Sequence, residues 1–159
     1  MRKWTLAVLV SLAAMTAAST VPVAAQLGAD NPRFGRWKIQ SDAPPPSSNI
    51  MTYEPYVEDG KTGMRVTIVA VNAKGETRTW GYVTMFDGKF RPMTGDTNAD
   101  SAAVTVIDSR TTKIENKTGD NIQTIINVLS EDGNTINNEY RSMRDGKEVV
   151  THAVYKRIQ

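Results

Sequence analysis

Few side chains in this sequence have types and spacings suited to chemistry. Asp96, Asn98 and Asp100 occupy the first, third and fifth positions of a calcium-type loop. Such a loop also uses glycine at its sixth position and a bidentate glutamate at its twelfth, where this chain has Ser101 and Ile107. The spacing is therefore read as a turn in which the acids and the amide bond their own backbone. His152 is the only histidine. One imidazole does not make a metal site, and as a general base it would need a nucleophile within hydrogen-bond reach. No Gly-x-Ser-x-Gly elbow presents one. Glu54 with Glu58 or Asp59 is the remaining route to paired-carboxylate hydrolysis, but acids in turns are explained by solvation and backbone bonding. The chain has no cysteine, which excludes disulfides, thiolate metal sites, a cysteine nucleophile and a lipidated cysteine. Asn116-Lys117-Thr118 matches the glycosylation triplet, a pattern short enough to arise by chance. No catalytic residue, metal ligand or cofactor is assigned, and a hydrolase is the least favoured reading.

Aromatic residues carry the stronger signal. Trp80, Tyr82 and Phe86 fall two and four residues apart, so on a strand they share one face. Arg78 belongs to the same face, and Arg65 lies one strand earlier. Together they are the candidate ligand-binding residues: rings to line a cavity and cations to hold a carboxylate head group. A cavity above roughly 300 Å³ would support ligand carriage. A filled core would instead point to an interaction or inhibitor module acting through its loops.

The elements that must position these rings are strands. From Phe34 onward, β-prone runs alternate with the turn pairs Asp59-Gly60, Lys74-Gly75, Asp87-Gly88, Gly119-Asp120, Asp132-Gly133 and Asp145-Gly146, residue types that accept the positive φ of tight reversals. Met64, Val66, Ile68 and Ala70 alternate with Arg65, Thr67, Val69 and Val71, the period of a strand. Similar runs at 34–39, 50–57, 77–86, 102–107, 112–117, 122–129, 135–143 and 148–158 bring the total to about nine. No stretch keeps helical spacing for three turns; the one candidate helical turn is 98–102. Pro44-Pro45-Pro46 cannot lie in a central strand and separates the first strand from the second. Sequential hairpins in this number must close or pair, because open edges invite aggregation. The expected fold is all-β: one antiparallel up-and-down barrel of about 8–10 strands, residues 34–159, after a flexible segment at 26–33.

Gly35-Arg36-Trp37 at the head of the first strand resembles the Gly-x-Trp signature of lipocalins and other calycins. More widely, the chain resembles small secreted bacterial lipocalin-like proteins of uncharacterised function. The shared landmarks are Gly35-Arg36-Trp37-Lys38, Pro44-Pro45-Pro46-Ser47, Tyr82 with Phe86-Asp87-Gly88-Lys89, Pro92-Met93-Thr94-Gly95 leading to Ala99-Asp100, Ile107-Asp108, Glu131-Asp132-Gly133 and Val154-Tyr155. The resemblance implies that Trp37 closes the barrel base, with Gly35 before it and Arg157 or Lys156 of the last strand packing across it. It implies a fold and brings no activity. The chain departs from the pattern in its short connection between Trp37 and the prolines, and in Asn137-Asn138-Glu139.

The first 25 residues read as a signal peptide: Arg2 and Lys3, an uncharged apolar run from Trp4 to Ala18, then small residues ending Val23-Ala24-Ala25. The run is shorter than the roughly 20 residues of a membrane span, and Pro22 breaks any continuation beyond it. Cleavage after Ala25 would remove Arg2 and Lys3, which account for the formal charge of +2. A neutral domain has no net field to gather nucleic acid or an anionic membrane. The expectation is a secreted or periplasmic monomer, without nucleic-acid or membrane partners. It would bind a small apolar or amphipathic ligand without enzymatic chemistry.

Overall fold

The computed structural model describes Gly28 and residues 30–158. The segment read as a signal peptide lies outside the described residues, as does most of 26–29. Between the hairpin turns, alternating side chains give most of the longer strands a more apolar and a more polar face. The consequence is one antiparallel sheet of eleven strands, with no helix among the described residues.

The strands are β1 (Gly35–Ile39), β2 (Ser48–Glu58), β3 (Lys61–Val71), β4 (Thr77–Thr84), β5 (Arg91–Pro92), β6 (Thr94–Gly95), β7 (Ser101–Val106), β8 (Thr111–Thr118), β9 (Asn121–Leu129), β10 (Thr135–Arg144) and β11 (Lys147–Ile158). Their order in the sheet is β5-β7-β8-β9-β10-β11-β1-β2-β3-β4-β6. The two outermost strands of that order are consecutive in the chain. Arg91 and Pro92 pair with Ala102 and Ser101 of β7, while Thr94 and Gly95 pair with Gly81 and Trp80 of β4. Met93 N–H between them donates to Asp100 O at 3.0 Å. A five-residue segment thus touches both edges of the sheet and nearly closes an up-and-down barrel.

Nine strands are those expected from the alternation. β5 and β6 are not, because two residues cannot display a period. Two further expectations need correction. The fourth strand ends at Thr84, before Phe86, which adopts φ +58° while its N–H donates to the Thr84 hydroxyl at 2.9 Å. The chain turns here to let Asp87 bridge to Thr105. Residues 98–102 form no helical turn: Ser101 already pairs with Lys117, and Asp100 N–H donates to Lys117 O at 2.7 Å. Sheet pairing wins over a local turn.

The hairpins sort into two ends. Loops 40–47, 72–76, 96–100, 119–120 and 145–146 gather at one, and 59–60, 85–90, 107–110 and 130–134 at the other. The second end is sealed. Trp37 is fully buried, and its indole N–H donates to Arg33 O at 2.8 Å. The Arg157 guanidinium lies 4.2 Å from the centre of the Trp37 ring and donates to the carbonyls of Pro32, Phe34 and Gly133 at 2.6–3.0 Å. Gly35 has φ +128°, and a Cβ there would stand 2.8 Å from Arg157 Nη1, so glycine is what lets the guanidinium reach in. Burying an indole of roughly 200 Å² contributes about 5 kcal/mol.

Candidate ligand-binding site

Above this floor the barrel is hollow. The cavity has a volume of about 650 Å³ and opens between the loops of the first end. Its composition is graded along four of the long strands that line it. From the mouth inward β2 presents Asn49, Met51 and Tyr53; β4 presents Arg78, Trp80 and Tyr82; β8 presents Thr118, Asn116 and Ile114; β9 presents Asn121, Gln123 and Ile125. Residues two apart on a strand share a face, so each series is one inward row. Polar side chains form a collar near the mouth, and methyl-rich and aromatic ones form the wall below. Val66 and Ile68 on β3 continue that apolar wall.

A polar ladder runs from behind the cavity wall, at Arg33 and Asn127, to Asn138 and Tyr140, which line it. Arg33 is buried, and its Nε donates to Asn127 Oδ1 at 3.1 Å while its Nη2 bonds Arg110 O. Asn127 Nδ2 donates to Asn138 Oδ1 at 2.8 Å, and Asn138 Nδ2 to the Tyr140 hydroxyl at 3.2 Å. Burial lowers the Arg33 pKa, opposed by the neighbouring Tyr53 and Asp108. It raises the phenol pKa values of Tyr53, Tyr82 and Tyr155. Those three hydroxyls therefore stay protonated and uncharged at neutral pH, and each offers both a donor and an acceptor. The Asn116 side chain lines the cavity too, and its Oδ1 is buried without a hydrogen-bond partner among the described residues.

Of the five candidate ligand-binding residues expected from the sequence, the fold brings three to the cavity and two elsewhere. Trp80 and Tyr82 stand side by side on its wall, and Arg78 stands at its mouth. Phe86, displaced by the turn after Thr84, is buried in the core and does not line the cavity. Arg65 pairs with Glu54 and Val83 on the outer face. Its guanidinium lies 5.5 Å from the Tyr56 ring, beside a shallow outer depression, and it cannot hold a head group inside. Arg78 is already engaged: it grips the Asp96 carboxylate through Nε at 2.9 Å and Nη2 at 3.2 Å, and the Asp96 carbonyl at 3.1 Å. The structural trio of Gly35, Trp37 and Arg157 forms the sealed floor of the barrel.

The polar cavity residues Asn49, Asn116, Gln123, Asn138 and Tyr140 are not among those the sequence pointed to. Asn127 and Asn138 left a trace there, each being an amide on the apolar face of its strand, between Ile125 and Leu129 and between Ile136 and Tyr140. Elsewhere, Asp100 of the calcium-like spacing accepts Gly119 N–H at 2.7 Å. His152 faces outward, 3.4 Å from Glu139. Among the described residues no group of three or more His, Cys, Asp or Glu is placed to share a metal ion. Comparison with protein-family models, curated proteins and solved structures finds no match to this chain.

Proposed function

We propose that this barrel is a secreted, monomeric, non-enzymatic binding protein that carries one small amphipathic molecule in its interior, in the manner of the lipocalin-like proteins it resembles. The observation that carries this reading is the graded cavity: about 650 Å³, the size of sites that enclose a small ligand, with hydrogen-bonding groups near the mouth and apolar surface beneath. A barrel whose interior served only as a core would fill this volume, because an unfilled cavity forfeits packing energy. Export is argued from the apolar run between Trp4 and Ala18 after Arg2 and Lys3.

Native mass spectrometry of the protein, gently purified from the organism that makes it, tests the proposal. The expected result is a mass excess of a few hundred daltons that organic extraction removes. Ile68→Trp, which places an indole in the cavity wall, should abolish that excess while leaving the far-ultraviolet circular dichroism of the barrel intact. A clean apo mass from the wild type, unchanged after incubation with extracts of its own envelope, would sink the carrier reading and favour a module acting through its loops.

A further inference from the structure

The charges around the cavity define its ligand more narrowly. Among the described residues three charged side chains line it, Arg78, Asp96 and Asp120, all toward the mouth. Arg78 is the sole cation of the three, and its charge is neutralised by Asp96, whose carboxylate and backbone carbonyl together engage the Nε–Nη2 edge of its guanidinium. The pair holds the 96–100 loop against β4, where Asp96 N–H also donates to Thr79 O at 2.8 Å. Asp120 then leaves the lining with a formal charge of −1. An anionic head group entering here would find no uncompensated positive charge in that lining, and a buried ion without a partner is strongly disfavoured. The collar offers neutral partners instead: the amides of Asn49, Asn116 and Gln123, with the phenol of Tyr140 below. The Asn116 carbonyl oxygen has no partner among the described residues, and its terminal torsion is soft enough to turn toward an arriving N–H or O–H donor.

We infer that the cavity selects an uncharged amphiphile whose head group carries a hydrogen-bond donor, an amide or alcohol on an apolar body, and rejects the corresponding carboxylate. This inference rests on the carrier reading and narrows its ligand class. It reverses the role suggested by the cationic residues in the sequence: Arg78 is a latch for the 96–100 loop, and Asp96 keeps it from acting as an anion receptor.

Decanamide, decan-1-ol and decanoate share one apolar chain and differ in head group, so titrating each against tryptophan fluorescence at pH 7.5, in which Trp80 on the cavity wall responds over the background of Trp37 in the sealed floor, tests the inference. Decanamide and decanol should bind at least about tenfold more tightly than decanoate, the difference expected for one charge-assisted or lost hydrogen bond. Asp96→Asn, on an exposed loop, should free Arg78 and narrow or invert that ratio. Asn116→Val should weaken decanamide about tenfold without lowering the urea midpoint. Equal or tighter binding of decanoate by the wild type would overturn the inference, as would a head-group ratio that Asp96→Asn leaves unmoved. If none of the three binds, while far-ultraviolet circular dichroism still reports a folded barrel, it is the carrier reading that fails.

Discussion

Arg157 shows how one side chain can hold a barrel shut. Its guanidinium joins three carbonyls from two separate segments, Pro32 and Phe34 before β1 and Gly133 in the β9–β10 turn, while its flat face covers Trp37. A planar fork fits this geometry, and a lysine ammonium on the same strand cannot stack or reach all three acceptors. Arg157→Lys is therefore expected to cost about 3 kcal/mol, as each charged hydrogen bond contributes roughly 1.5–3. The readout is the midpoint of urea unfolding at constant slope. A loss under about 0.5 kcal/mol, the ordinary range for surface substitutions, would show that the floor is held by Trp37 burial alone. The role that the Gly-x-Trp resemblance assigns to Gly35, Trp37 and Arg157 has a concrete geometric basis here. The partner half of the floor, Arg33, carries no such motif and comes into view only through its bonds to Asn127 and Arg110.

At the scale of elements, the weak point is the closing segment Arg91–Gly95. Two short pairings, each of two residues, stand where the other strands make long ladders. An ion pair reinforces it: Arg91 Nη1 and Nη2 donate to the Asp87 carboxylate at 2.7 and 3.1 Å, and Nη2 reaches Glu58 at 3.5 Å. The hydrogen bonds from Arg91 lead the causes that hold the Asp87 pKa at about 2, against an ordinary 3.8. A carboxyl group with a lowered native pKa binds fewer protons folded than unfolded. Its stabilisation is complete above about pH 4 and is lost as pH falls toward 2. Arg91→Met should therefore flatten the acid limb of stability between pH 4 and 2, relative to the wild type. Hydrogen exchange should show earlier loss of protection at Met93 and Asp96, whose N–H groups bond Asp100 and Thr79. Unchanged protection at both amides would mean that the seam does not depend on this pair.

For the whole molecule, closure makes the barrel one cooperative unit. The β1–β11 pairing joins the first and last strands, and the Arg91–Gly95 segment joins the remaining edges, so no hairpin can leave without unpairing strands on both sides of it. Far-ultraviolet circular dichroism and tryptophan fluorescence should give superimposable urea transitions. Refolding should take milliseconds to seconds, since such non-local pairings require large loops to close first. Separated transitions, with Trp37 losing its environment before the sheet melts, would identify the floor as an independent unit. A bound ligand should raise the transition by about 2.7 kcal/mol at a hundredfold excess over its dissociation constant.

Local chemistry made much of this architecture legible along the chain. Asp-Gly and Gly-Asp pairs mark reversals because few other residues tolerate positive φ, and Asp59-Gly60 and Asp145-Gly146 take it at both positions. Alternation named nine strands and put Trp80, Tyr82 and Arg78 on one face, since side-chain direction in a strand follows from parity alone. Parity cannot say which face turns inward on a neighbouring strand, and that is why Arg65, expected beside the cavity, lies away from it: the β2–β3–β4 register sets it opposite Glu54 and Val83, outside the barrel. Nor can it show that Phe86 leaves its strand, or that two dipeptides flanking Met93 join the edges, because those are answers to a long-range closure problem. Whether the interior would be filled or hollow depended on the barrel's girth and on side chains from six or more strands meeting in space. The amide and phenol groups that line the cavity come from separate strands, and only the wrapped sheet brings them together.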